Sequence, residues 1–117
     1  MLVKLQHVAH VRSGDKGNTS NISVIAYDDA FYSLLKDQLT AERFKAFYGE
    51  AIKGQVERYC IDGLAAINFV AHGALGGGVS RSLSLDNYGK ALSAAILGFE
   101  LDVPERLRNS LRGYEIS

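Results

Sequence analysis

Four segments of this chain alternate polar and apolar residues or carry β-branched runs, and they fall into two adjacent pairs. Val3 to Arg12 sets Val3, Leu5, His7, Ala9 and Val11 against Lys4, Gln6, Val8, His10 and Arg12. Period two over ten residues predicts a strand. Asn21–Tyr27 predicts a second, after the turn-forming run Ser13-Gly14-Asp15-Lys16-Gly17-Asn18-Thr19. That run reads as a hairpin loop longer than a tight turn, with room for a ligand. Gln55–Ile61 and Ala65–His72 form the second pair around Asp62-Gly63, a strong hairpin signal.

Helical spacing fills the gaps. Asp28 or Asp29 caps a predicted helix to about Leu39, with Phe31, Leu34, Leu35 and Leu39 on one face. Thr40 caps a shorter one to about Tyr48, presenting Phe44, Phe47 and Tyr48. Val79–Leu85 reads as extended. Asp86 opens a helix to about Phe99, and Pro104 opens a last polar helix over residues 105–112. The fold class is therefore α+β. The order β-β-α-β-β-α is the ferredoxin-like order with its last strand moved to the front, a four-stranded antiparallel sheet with helices on one face. The first strand is expected to be central or beside the fourth. The opposite sheet face would be open, with Val8, Ile25 and Val70 among Lys4, Gln6, Asn68 and His72. A face so mixed calls for a cover, by a second copy or another protein.

A chain of 117 residues with 47% hydrophobic residues makes one domain rather than a disordered segment. Residues 1–104 are assigned to the domain and 105–117 to a helical tail. Thirteen basic residues balance thirteen acidic ones, which gives no support to nucleic acid or a membrane surface as partner. The single cysteine, Cys60, leaves no internal disulfide and no cysteine-built metal site. In mid-strand it reads as a small hydrophobe. With no signal-like or membrane-length apolar run, a cytoplasmic location is expected.

Charge is uneven along the chain. Residues 63–85 contain no acid, and Arg81 is their only charged side chain. Lys4, Arg12 and Lys16 outnumber Asp15 in residues 1–27. If these segments meet, their shared surface favours an anion; Gly-rich loops and buried strands carrying few acids explain the same pattern.

Two glycine-rich segments hold the candidate chemistry. In Ser13–Asn18 the glycines permit an amide-lined concavity, and Ser13, Asp15, Lys16 and Asn18 are candidate ligand contacts. The alternative is a connection in which Asp15 and Asn18 bond local backbone. In Gly73–Gly78, the amides of Gly76, Gly77 and Gly78, with Arg81 to grip a carboxylate or phosphate, form a second candidate. The alternatives are a tight crossover and an Arg81 paired with an acid of its own chain. Neither segment has the P-loop or GxGxxG spacing. His72 and His10 stand near strand ends beside these loops, and His72 and Lys16 are the candidate acid-base groups. His7 falls on the face opposite His10, which argues against a three-histidine metal site. No GxSxG elbow marks a nucleophile.

The first glycine-rich segment with Asn21-Ile22, the run Asn68–Gly78 with Arg81-Ser82-Leu83, and Val56-Glu57-Arg58-Tyr59 and Leu85-Asp86 together resemble the C-terminal, ferredoxin-fold domain of the AtuA-like proteins, the acyclic terpene utilisation family. The resemblance runs from about His7 to Pro104. It implies a stand-alone version of a domain that commonly follows a much larger one. It also implies a context in the breakdown of acyclic terpenoids and related acids as coenzyme A thioesters. No residue pattern in the sequence calls for a cofactor, and none is expected. Two functions follow: an accessory or binding subunit beside an AtuA-type large subunit, also a homo-oligomer, or an independent small enzyme acting on an acyl thioester or carboxylic acid.

Overall fold

The computed structural model describes residues 1–16, 19–73 and 93–113. Four strands form an antiparallel sheet: β2 (Ala9–Lys16), β3 (Thr19–Ala26), β4 (Val56–Ile61) and β5 (Ala66–His72), in the order β2-β3-β5-β4. This is the strand order that moving the last ferredoxin strand to the front requires. The first long strand therefore lies at an edge, neither central nor beside β5; β3 and β5 are the central pair. A separate two-stranded ladder joins β1 (Leu2–Lys4) to β6 (Glu100–Asp102), with Val3 opposite Leu101.

The expected single strand from Val3 to Arg12 is broken by a 3-10 turn at Leu5–His7. The cause lies in the spacing of the apolar residues. Leu5, Val8 and Ala9 are all fully buried. In an unbroken strand Val8 would face the opposite side from Leu5 and Ala9. A turn of three residues puts Leu5 and Val8 on one side before β2 begins. Val8 thus belongs to the core, not to the open face, and Lys4 and Gln6 lie outside the four-stranded sheet. His7 leaves the sheet too, and its Nδ1 lies 2.8 Å from the Arg112 carbonyl.

The polar segment read as a loop is strand through Lys16. Lys16 pairs with Thr19, so only two residues separate β2 from β3.

Helix α1 (Asp29–Gln38) starts where the Asp28 side chain accepts from the Ala30 N–H at 2.9 Å. Helix α2 (Ala41–Tyr48) starts where Thr40 accepts from Arg43 N–H at 3.1 Å. Both lie on the sheet face formed by Ile22, Val24, Ile67, Phe69 and Ala71, which are buried with Phe31, Leu35, Leu39 and Phe44. The Phe44 ring stacks on Phe69, 4.1 Å between centroids and 6° from parallel. The Tyr32 hydroxyl donates to Asp62 at 2.6 Å and Lys36 joins the same oxygen at 3.2 Å, tying α1 to the β4–β5 connection.

Of the helix expected from Asp86, residues 93–96 are helical, with Ile96 and Phe99 buried; the rest of it, and the Val79–Leu85 segment, lie outside the described residues. The last element is a 3-10 helix, Glu105–Ser110, rather than an α-helix. Pro104 is extended (φ −60°, ψ 144°) and accepts from the Leu107 N–H, so it caps the element instead of opening it. The segment after it folds back. Arg112 N–H donates to the His7 carbonyl, and its guanidinium lies 4.1 Å from the Tyr27 ring centroid. No helix among the described residues is long and apolar enough to cross a membrane.

Replacing Phe69 with Ala removes both its burial and its stack on Phe44. The expected loss is about 3–5 kcal/mol of unfolding free energy, read from urea denaturation.

Candidate functional site

Period two decides which side chains the helices leave uncovered. Residues of β3 alternate between buried and half-buried along their whole length. The uncovered set is His10 and Arg12 from β2, Thr19, Asn21, Ser23 and Ile25 from β3, Asn68, Val70 and His72 from β5, and Glu57, Tyr59 and Ile61 from β4. Ile25, Val70, Asn68 and His72 thus stand on the open face as expected.

At one end of this face three side chains converge. His72 Nε2 lies 2.6 Å from Glu57 Oε2, and the Tyr59 hydroxyl donates to Glu57 Oε1. Both carboxylate oxygens are therefore engaged. The hydrogen bond from Tyr59, then that from His72, holds the Glu57 carboxyl below the usual glutamate range. The same bond and the charge behind it push the Tyr59 phenol up. An ionised carboxylate only accepts, so Nε2 carries the proton and a neutral imidazole presents Nδ1 as an acceptor. In the middle of the face, Asn68 Nδ2 donates to Ser23 Oγ at 2.8 Å.

His72 is held by backbone as well as by Glu57. Its N–H donates to the Gln55 carbonyl and its carbonyl accepts from Gly54 N–H, both at 2.9 Å. The approach of Gly54 is close enough to exclude a side chain: a Cβ there would sit 2.5 Å from the His72 carbonyl oxygen. Gly73 follows at φ +69°, a conformation that suits glycine.

Thr19 pairs with His72 and with Lys16. The β2–β3 connection and the exit of β5 are therefore at the same end of the sheet. Ser13 is an exposed ladder residue opposite Ile22, and Asp15 pairs with Ser20. Asn18, Gly76, Gly77, Gly78 and Arg81 lie outside the described residues. His10 is at the other end of the face from His72, opposite Ile25, and stacks on Tyr27 with centroids 5.6 Å apart. There a shallow groove of about 390 Å³ is lined by His10, Arg12, Ser23, Ile25, Ile61, Leu64 and Ala66. Cys60, expected to act as a small hydrophobe, is exposed on edge strand β4. Among the described residues, no group of three or more His, Cys, Asp or Glu side chains is placed to hold a metal.

A model of the AtuA ferredoxin-like domain matches residues 3–102. The chain belongs to that family. No curated protein and no solved structure matches it. In this AtuA-like domain the matched span ends with β6 and takes in the whole Glu57–Tyr59–His72 cluster.

Sequence reasoning named His72 as a candidate site residue; Glu57 and Tyr59 entered only through the family-like segment Val56-Glu57-Arg58-Tyr59, without a role, and Gly54 not at all. Glu57 and Tyr59 share a face by period two, yet pairing them with His72 needs the register of β4 on β5.

Two measurements check the cluster. Gly54→Ala is expected to destabilise the domain by about 1–3 kcal/mol through overpacking and to perturb the His72 ring signals in NMR. The Glu57 carboxyl is expected to titrate below the ordinary glutamate range by NMR, and Tyr59→Phe to bring it back toward that range. Because the folded-state value is the lower one, the stabilisation is complete above the unfolded glutamate range. It is lost as pH falls through the folded value. Denaturation of wild type and Glu57→Gln should accordingly converge in acid.

Proposed function

We propose that this AtuA-like domain is an accessory or binding subunit of an AtuA-type system. It presents the end of the sheet where β2 meets β3 and β5 gives way to Gly73 to an AtuA-type large subunit. The substrates of that system are acyclic terpenoid or related acids carried as coenzyme A thioesters, in the cytoplasm. One observation supports this reading most: the polar groups at that end are engaged with one another. Glu57 accepts from both Tyr59 and His72, and the Tyr59 phenol is pushed up, which makes it a poorer acid. Cys60 is on the other side of the sheet from this cluster, since it alternates with Tyr59 and Ile61 along β4. Such a surface offers shape and hydrogen bonds rather than an activated nucleophile.

A second reading, an independent enzyme acting on an acyl thioester or carboxylic acid, draws on the Glu57–His72 contact. A carboxylate that fixes one imidazole nitrogen leaves the other oriented as a base, the arrangement general base catalysis requires.

Co-expression with an AtuA-type large subunit separates the two. The accessory reading expects a stable complex whose thioester turnover falls when the small domain is withheld. It also expects no turnover by the small domain alone. Turnover by the isolated domain that is lost in His72→Gln would replace it with the enzyme reading.

A further inference from the structure

The open face carries unlike charge on its two edge strands. Arg12, on β2, is exposed and has neither a hydrogen-bond nor an ion-pair partner among the described residues. Glu57 is on β4, at the far edge. The ladder register sets Arg12 level with Tyr59, through Ser23 and Asn68, and sets Gly14 level with Glu57, through Asn21 and Val70. Gly14 leaves the space opposite that level open, since a Cβ there would meet nothing within 4 Å. In one chain Arg12 and Glu57 are three strand spacings apart, about 14 Å, too far to pair. The apolar part of the face lies together at the other end. Ile25, Ala66 and Ile61 are level, and Leu64 beside them is 68% exposed.

We propose that this face pairs with the same face of a second copy about a two-fold axis running along the strands. Arg12 of each copy then closes over the Glu57–Tyr59 cluster of the other. That axis lays β2 of one copy over β4 of the other and β3 over β5. Each unpartnered guanidinium meets a tyrosine ring and a carboxylate, twice over by symmetry. At the apolar end Ile25 of each copy lies over Ala66 of the other and Ile61 over His10, with Leu64 beside them, so that end of the interface is largely dry. A two-fold across the strands would stack β2 on β2, leave each Arg12 far from Glu57 and lay the apolar end of one copy on the polar end of the other, so the composition of the face selects the first axis. Stacked sheets lie about 10 Å apart, a gap that an arginine and a glutamate span together. Four strands of about seven residues cover roughly 450 Å² in plan on each copy. Side-chain relief adds to the roughly 900 Å² for the pair and brings it to the size of a specific interface, about 1,000 Å² or more. The pairing leaves the β2–β3 connection and Gly73 at the rim, and it does not depend on whether the domain is accessory or catalytic.

Sedimentation velocity of the full chain over a concentration series tests this. The expected species has twice the 12.7 kDa chain mass. Arg12→Glu and Ile61→Asp, both at exposed positions, should each weaken the dimer by about tenfold or more. Glu57→Arg should do the same, and Arg12→Glu combined with Glu57→Arg should restore most of the affinity. Circular dichroism of each variant checks that it is folded. A chain that stays monomeric up to millimolar concentration overturns the proposal. So does a dimer indifferent to both Arg12→Glu and Ile61→Asp, which would use another surface. Charge reversals that weaken the dimer singly but fail to rescue one another overturn the axis. A monomer whose open face gains hydrogen-exchange protection only with an AtuA-type large subunit assigns the face to that subunit instead.

Discussion

Seven paired residues between β3 and β5, from Thr19 opposite His72 to Ile25 opposite Ala66, hold this domain together. Each outer strand belongs to a hairpin formed with a neighbour in sequence. Among the described residues only the β3–β5 ladder joins the hairpins, across a stretch that contains α1 and α2. Closing so long a loop costs entropy that the ladder alone does not recover. Burial recovers it. Ile22 and Val24 on β3 and Ile67 and Phe69 on β5 lie side by side on one face, and α1 and α2 cover them. A shift of one residue in this ladder would turn that whole set toward water. The register of the two central strands is thus fixed by the core, and the composition of the opposite face follows from it.

Local signals and long-range register were unequally legible. The caps at Asp28 and Thr40 act within three residues, so the sequence shows them directly. The break at Leu5–His7 is harder to see, because it serves a core that only the fold brings together. The β4–β5 connection shows how a site partner escapes notice. A two-residue turn at Asp62-Gly63 would set Ile61 opposite Leu64. The actual connection runs through Ala65 in the left-handed region (φ 51°) and sets Ile61 opposite Ala66. A slip of two keeps every residue on its face, so the open face remained readable. It moves every partner, however, and the approach of Glu57 to His72 depends on it. The β1–β6 ladder, three residues long on each side, has no periodic signal of its own.

The charged cluster and the apolar groove sit at opposite ends of one face because the alternating residues change character along the strands. Toward Gly73 the uncovered positions include Glu57, Tyr59 and His72; toward the Asp62-Gly63 connection they are Ile25 and Ile61, beside the buried Ala66. Between them Asn68 and Ser23 satisfy each other, so the centre of the face can be dried without leaving these two groups unpaired. This matters for any partner that covers it. Asn21, half-buried on β3 and level with Glu57, has no side-chain hydrogen bond among the described residues, so a covering partner must meet its amide as well as the exposed Arg12 guanidinium at the edge.

Edge position also explains why Glu57 needs two donors. A carboxylate on an edge strand is open to water and gains little from a single exposed contact. Tyr59 lies two residues along the same strand and His72 lies diagonally across the ladder, so the three side chains converge without bending the backbone. The histidine is in turn fixed by Gly54, whose missing side chain admits the His72 carbonyl. Rigidity at this end therefore rests on two backbone contacts and two side-chain bonds around one imidazole. That order begins where β5 gives way to Gly73, the point from which the chain leaves the sheet, and it gives whatever binds there a fixed edge to meet.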